Sequence, residues 1–86
     1  MENQNDKLRN ACEETAEFFR KIADATFSDI QSKLDFVVGS YDFDKNPVGL
    51  YEVGQQALDT LKKIKVKNPR KVNKQLIGNL EESLEK

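Results

Sequence analysis

Apolar residues recur at three- and four-residue intervals through the first half of the chain, which is the spacing of one face of an α-helix. Acidic and other polar residues occupy the opposite face. This pattern predicts an amphipathic first helix over residues 6–38, which stops at Gly39. The apolar face of its first part consists of Leu8, Cys12, Thr15, Phe19, Ile22 and Thr26.

The second part of this predicted helix has a different spacing. From Ile22 to Val38 the apolar residues lie four positions apart, so the stripe drifts by about 40° per step against a 3.6-residue period. Either the stripe winds around one helix or the helix breaks, and Ser28 with Gln31 fits a capping box, which favours a break. We expect a continuous or kinked helix of roughly 50 Å, which needs a partner along its length.

Two Asn-Pro pairs mark the starts of two further helices. Asn46-Pro47 supplies a helix cap followed by a proline in the first turn, and Asn68-Pro69 repeats this signal. We therefore predict helices over residues 47–65 and 69–85. The predicted fold is all-α, a helical hairpin or three-helix bundle in a single domain of residues 1–86.

Homodimerisation is expected to complete this fold. A chain of this length buries a modest core, and the apolar arc of the first helix is broader than two short helices can cover. Twofold dimers are the commonest closed assemblies. The predicted anchors of the dimer interface are Phe18, Phe19, Ile22, Phe27 and Ile30.

Charge is distributed unevenly although the net charge is only −1. Residues 1–61 contain 12 acids and 6 bases, for a net charge of −6. Residues 62–80 contain seven bases and no acid (+7), and residues 81–86 contain three acids and one base (−2). The seven bases, called the basic segment below, are Lys62, Lys63, Lys65, Lys67, Arg70, Lys71 and Lys74.

The basic segment is the strongest functional feature of the sequence. Lysines at the end of the second predicted helix offset its dipole, but Arg70, Lys71 and Lys74 would oppose the dipole of the third. A helix start surrounded by bases suits an anion. We favour an acidic protein surface, which includes the acidic face of the first helix in the same or another copy. Nucleic acid or another polyanion is the alternative. Three features of the sequence disfavour it: arginine is scarce, no aromatic residues are interleaved with the bases, and the overall charge is not basic. A plain solvated face is the third interpretation.

The sequence predicts no catalytic, cofactor-binding or metal site. It contains no histidine, and its one cysteine, Cys12, lies on the apolar stripe and is expected to be unreactive. Asp42, Asp44 and Asn46 have the first spacings of a calcium loop. However, proline and valine occupy the positions where that loop needs glycine and glutamate. We therefore expect a binding protein, not an enzyme.

No segment is apolar enough to cross a membrane, and the polar N-terminal residues do not resemble a secretory signal. A single cysteine suits a reducing compartment, so a cytoplasmic location is expected. The predicted function is that of a small homo-oligomeric adaptor or regulatory module. The alternative is nucleic-acid or polyanion binding through residues 62–74, and a small-ligand site inside the bundle has no support from particular residues.

Overall fold

The computed structural model describes residues 4–84, and all of its regular structure is helical. The α-helices are α1 (Gln4–Ile22), α2 (Ser28–Asp44), α3 (Val48–Lys67) and α4 (Lys74–Leu84), with a short 3₁₀ turn at Ala25–Phe27. The prediction of an all-α fold is confirmed, because these residues contain no strand. The predicted end of the last helix, residue 85, lies outside the described residues.

The prediction of one continuous helix over residues 6–38 is wrong, because the chain turns back after Ile22. Ala23 adopts a left-handed conformation (φ 49°), and the Asp24 carboxylate accepts a 2.9 Å hydrogen bond from the Thr26 backbone nitrogen. The capping box that Ser28 and Gln31 fit does not form, since Ser28 is the first residue of α2 and donates to the carbonyl of Ala25 at 3.0 Å. The drift of the apolar stripe reflects two separate helices that each bury one face.

The second helix also ends later than predicted. It continues through Gly39 to Asp44 and ends where Lys45 adopts a left-handed conformation (φ 60°). The Lys45 backbone nitrogen then donates to the carbonyl of Tyr41 at 2.7 Å. Gly39 has a negative φ, so it does not act as a helix stop.

Polar contacts hold α1 and α2 together as an antiparallel pair. Near the turn, Arg20 Nη1 lies 2.8 Å from Asp35 Oδ1. Farther along, Arg9 donates two hydrogen bonds to the carboxylate of Asp42, at 3.0 and 2.8 Å. The partner numbers rise on α2 as they fall on α1, which is the register of a helical hairpin. The described residues extend 35 Å along their longest axis, less than the roughly 50 Å of the expected helix.

The two Asn-Pro pairs behave differently. Asn46 does cap α3, because its Oδ1 accepts a 3.1 Å hydrogen bond from the Val48 backbone nitrogen. Asn68, by contrast, ends α3 and begins a turn in which its carbonyl accepts a hydrogen bond from Lys71. The predicted start of the third helix at residue 69 is therefore wrong. The cap of α4 is Asn73, whose Oδ1 accepts a hydrogen bond from the backbone nitrogen of Gln75 at 2.8 Å.

One apolar cluster fills the space between the helices. Each helix packs against the next in the chain, and α1 also contacts α3 and α4. Gly54 of α3 allows close packing, since a Cβ there would lie 3.2 Å from Leu84 Cδ2 and 3.4 Å from Leu8 Cδ1. The chain's own helices thus cover most of the apolar arc of α1, with Phe18 and Ile22 only partly buried. The side chains buried most completely include Leu8, Phe19, Leu34, Leu50, Leu61 and Leu80.

Candidate interaction groove between α3 and α4

The predicted dimer anchors lie around the α1–α2 turn. Phe19 is buried in the chain's own core, and its ring lies 5.4 Å from that of Phe18 and 5.5 Å from that of Phe27. Phe18, Phe27, Ile22 and Ile30 are partly buried against the same core. Intramolecular packing therefore explains these apolar residues in large part, and their contact with a second copy stays a prediction.

The most exposed large apolar side chains lie elsewhere. Phe36 and Phe43 are 74% and 92% exposed on α2, seven residues apart on the face that points away from the core. Val66, near the end of α3, is 83% exposed. None of these three side chains belongs to the buried core.

A shallow, open groove of about 700 Å³ lies beside Val66, between the end of α3 and α4. Its two walls have the same sequence spacing, i, i+3, i+4 and i+7, which places each set of residues on one face of a helix or its end. The α3 wall and the turn after it supply Lys62, Lys65, Val66 and Pro69, and the α4 wall supplies Lys74, Ile77, Gly78 and Glu81.

The groove combines an apolar floor with a charged rim. Val66, Pro69 and Ile77 present carbon surface, and Gly78 leaves the α4 backbone open, because a Cβ at Gly78 would meet nothing within 4 Å. On the rim, Lys62 Nζ lies 3.3 Å from Glu81 Oε2. The arrangement suits a ligand that is apolar on one side and anionic at its edge.

The structure separates the basic segment into two groups. Lys62, Lys65 and Lys74 line the groove, whereas Lys63, Lys67, Arg70 and Lys71 do not. Only Lys74 lies in the first turn of α4, so the expectation that three bases oppose a helix dipole is wrong for the other two, which lie in the preceding turn.

Lys71 has an electrostatic neighbour outside the groove. The Asp24 carboxylate has a lowered pKa, mainly because it accepts a hydrogen bond from Thr26 and, to a lesser extent, because the Lys71 ammonium is nearby. Lys71 is therefore close enough to influence the α1–α2 turn electrostatically, and it is not among the bases that line the groove.

The acids of the former calcium-loop pattern have structural partners. The Arg9 guanidinium lowers the pKa of Asp42 by hydrogen bonding. Asp44 accepts a 2.9 Å hydrogen bond from the backbone nitrogen of Asn46, which itself caps α3. Within residues 4–84 there is no cluster of three acidic or cysteine side chains that could hold a metal ion.

Cys12 is enclosed in the core, with Sγ 3.9 Å from the carbonyl oxygen of Leu50. Burial raises the pKa of the thiol to about 12. Because the thiolate is the reactive form, this environment suppresses nucleophilic chemistry at neutral pH.

A second cleft, of about 360 Å³, lies between α1 and α4. The side chain of Gln4 crosses it to donate to the carbonyl of Ser83, one of the unpaired carbonyls at the end of α4. Its wall is polar and carries charges of both signs, so it lacks the apolar floor of the first groove. The lining residues include Lys7, Asn10, Glu14, Asn79 and Glu82.

Sequence reasoning found the lysines of the groove but missed its floor. Pro69 is predicted only as part of a helix start, and the sequence pattern indicates no binding role for Val66, Ile77, Gly78 or Glu81. The repeated i, i+3, i+4, i+7 spacing was the available signal, although it does not say which two helix faces meet.

No helix in the described part of the chain has the length and apolar character needed to span a membrane. Comparisons with protein-family models, with curated proteins and with solved structures found no match to this chain.

Proposed function

We propose that this chain is a small helical adaptor or regulatory module that binds an acidic, partly apolar segment of another protein in the groove between α3 and α4. The observation that carries the proposal is the apolar floor of this groove, which includes the exposed Val66 side chain and is bordered by lysines. Protein interfaces combine an apolar centre with a polar, solvent-accessible rim. The module acts by binding, not by catalysis, and we assign it to the cytoplasm because a single thiol suits a reducing compartment.

The charge of the rim supports an acidic partner. Three lysines and one glutamate give the groove a net charge of +2 (3 − 1). Among the described residues only Lys62 of these lysines forms a salt bridge, which leaves Lys65 and Lys74 available to a partner's carboxylates. Lysine stems add apolar surface to a site while the ammonium groups reach its edge.

A different protein suits the groove better than the acidic face of α1 from a second copy. One of those acids, Glu13, already pairs with Arg9. Docking α1 of one copy into the groove of the next is a head-to-tail contact, which continues into an open chain unless it closes into a ring. A separate partner forms a closed complex.

The test is a fluorescence titration with a labelled peptide of about 18 residues, with leucines on one helical face and glutamates on the other. We expect micromolar affinity, because a groove of this size buries a small interface. Replacement of Lys62, Lys65 and Lys74 by glutamine should weaken binding about tenfold or more. The absence of saturable binding to the unaltered chain at about 1 mM would overturn the proposed function.

A matched variant controls for net charge. Replacement of Lys63, Lys67 and Arg70 by glutamine also removes three positive charges, but outside the groove. This variant should bind the peptide with the affinity of the unaltered chain. Equal losses in the two triple variants would contradict the groove as the site, because they would indicate attraction to overall charge.

Polyanion binding through residues 62–74 is the second candidate, supported by the exposure of every base in the segment except the half-buried Lys65. For phosphate contacts, log affinity falls linearly with log salt, with a slope of roughly −0.7 to −0.9 per contact. If the segment binds phosphates, a gel shift with duplex and single-stranded DNA should show weaker DNA binding for both triple variants and unchanged DNA binding for Val66→Ser. Docking of an acidic protein segment instead predicts that Val66→Ser weakens peptide binding.

We also retain homodimerisation as a proposal and favour the outward face of α2 as its contact. Phe36 and Phe43 are exposed there, and a twofold dimer brings the same patch of both copies together. Light scattering should give twice 9.9 kDa, and Phe36→Ser with Phe43→Ser should give the monomer mass. If Phe18→Ser separates the dimer and the Phe36→Ser, Phe43→Ser variant does not, the dimer contact lies at the α1–α2 turn. A mass of 9.9 kDa for the unaltered chain at about 100 µM would contradict a dimer.

A further inference from the structure

Gly78 lies where nothing within the described chain requires a glycine. It is exposed in the interior of α4, and its φ is not positive. A Cβ at this position would meet no atom within 4 Å. Glycine weakens a helix interior compared with alanine, because it leaves the unfolded backbone more freedom.

Two other glycines show what an internal requirement looks like. A Cβ at Gly54 would lie 3.2 Å from Leu84 Cδ2, and a Cβ at Gly49 would lie 3.0 Å from Val37 Cγ1. In both places the chain's own packing fills the space that a side chain would need. Gly78 and Gly39 both lack such a neighbour, but only Gly78 lines the groove.

We infer that the acidic segment binds as an amphipathic α-helix that crosses α4 at Gly78, so that Gly78 is a specificity-determining residue of the groove. This inference rests on the proposed function. Without a Cβ on Gly78, the partner's backbone approaches α4 closely between Lys74 and Glu81, which lie four residues before and three residues after it.

The walls of the groove favour a helical partner over an extended one. An extended peptide usually gains its main-chain hydrogen bonds by adding to the edge of a sheet, and residues 4–84 contain no strand. A helix satisfies its own backbone and presents apolar side chains at i, i+3 and i+7. Those side chains reach Val66 and Ile77, while the glutamates on either side of the stripe reach Lys65 and Lys74.

The test compares Gly78→Ala with Gly39→Ala by peptide titration and thermal unfolding of the full chain. Gly39 is the matched control, because it is also an exposed helix-interior glycine whose added Cβ meets nothing within 4 Å. Both variants should unfold at higher temperature than the unaltered chain. Only Gly78→Ala should bind the peptide about tenfold more weakly, because its methyl group blocks close approach.

The outcomes separate this inference from the proposed function. If Gly78→Ala binds as tightly as the unaltered chain while the Lys62, Lys65 and Lys74 variant does not, the groove stands and the crossing at Gly78 is wrong. If a peptide with proline at its centre binds as well as the original, the helical form of the partner is wrong. If the unaltered chain binds neither peptide, the proposed function itself fails.

Discussion

Replacement of Ala23 by glycine tests the turn that separates α1 from α2. Ala23 is exposed and has φ 49°, and its backbone nitrogen donates to the carbonyl of Phe19 at 3.2 Å. The left-handed conformation costs an L-residue with a Cβ about 1–2 kcal/mol, which glycine avoids. Glycine also adds unfolded-state freedom worth about 0.5–1 kcal/mol, so we expect a net stabilisation of about 0.5–1 kcal/mol.

The expected change is measurable by thermal unfolding. At about 2.1 cal/mol/K per residue, a chain of this length has an unfolding entropy of about 0.18 kcal/mol/K, so the midpoint should rise by about 3–6 °C. Ala25→Gly is the matched control, because Ala25 is also exposed but does not have a positive φ. It should lower the midpoint by a similar amount.

The two substitutions are expected to shift the unfolding midpoint in opposite directions, so the comparison tests the conformation of the turn directly. If Ala23→Gly lowers the midpoint as Ala25→Gly does, then Ala23 is not left-handed in solution. The turn between α1 and α2 described above would then be refuted at this residue.

Three further predictions test the packing and the charges. Cys12 should react with a thiol reagent at pH 8 far more slowly in the native chain than in urea, because burial raises its pKa to about 12; equal rates would show that it is accessible. Arg9→Gln should lower the urea midpoint at pH 7, because it removes the contact between Arg9 and Asp42. Since this contact lowers the pKa of Asp42, it stabilises the fold above about pH 4, and the stabilisation is lost as Asp42 protonates. An equal effect of the substitution at about pH 2 would contradict this prediction. Gly54→Val should destabilise the fold by about 2 kcal/mol through overpacking, whereas Gly39→Ala should stabilise it by about 0.5–1 kcal/mol, and equal midpoints would refute the close packing at Gly54.

Local sequence patterns predicted the helical class because periodicity records which side of each helix is buried. The Asn46-Pro47 pair predicted the start of α3 for the same local reason, since a capping side chain acts within two residues. Asn68-Pro69 failed because the same signal also begins a turn, and the competing cap at Asn73 was closer to the next apolar stripe. Local chemistry did not distinguish these two uses.

The break after α1 was harder to predict because Ala23 is not a residue type that marks a left-handed turn. The sequence held two indications of a break. One was the Ser28–Gln31 pattern, although its capping box does not form, and the other was the drift of the apolar stripe, which two packed helices resolve and one helix does not. The groove was hidden for a different reason. Val66 and Gly78 are 12 residues apart, and their proximity depends on how α3 and α4 pack, which no single helix pattern contains.

The most direct test of the proposed binding site is an NMR titration of the full chain with the acidic amphipathic peptide. Amide signals are expected to shift, in proportion to bound peptide, at Lys62, Lys65 and Val66 of α3 and at Lys74, Ile77 and Gly78 of α4, while those of α1 and α2 stay in place. Shifts confined to the outward face of α2 or spread evenly over all seven bases of the basic segment would contradict docking in the groove.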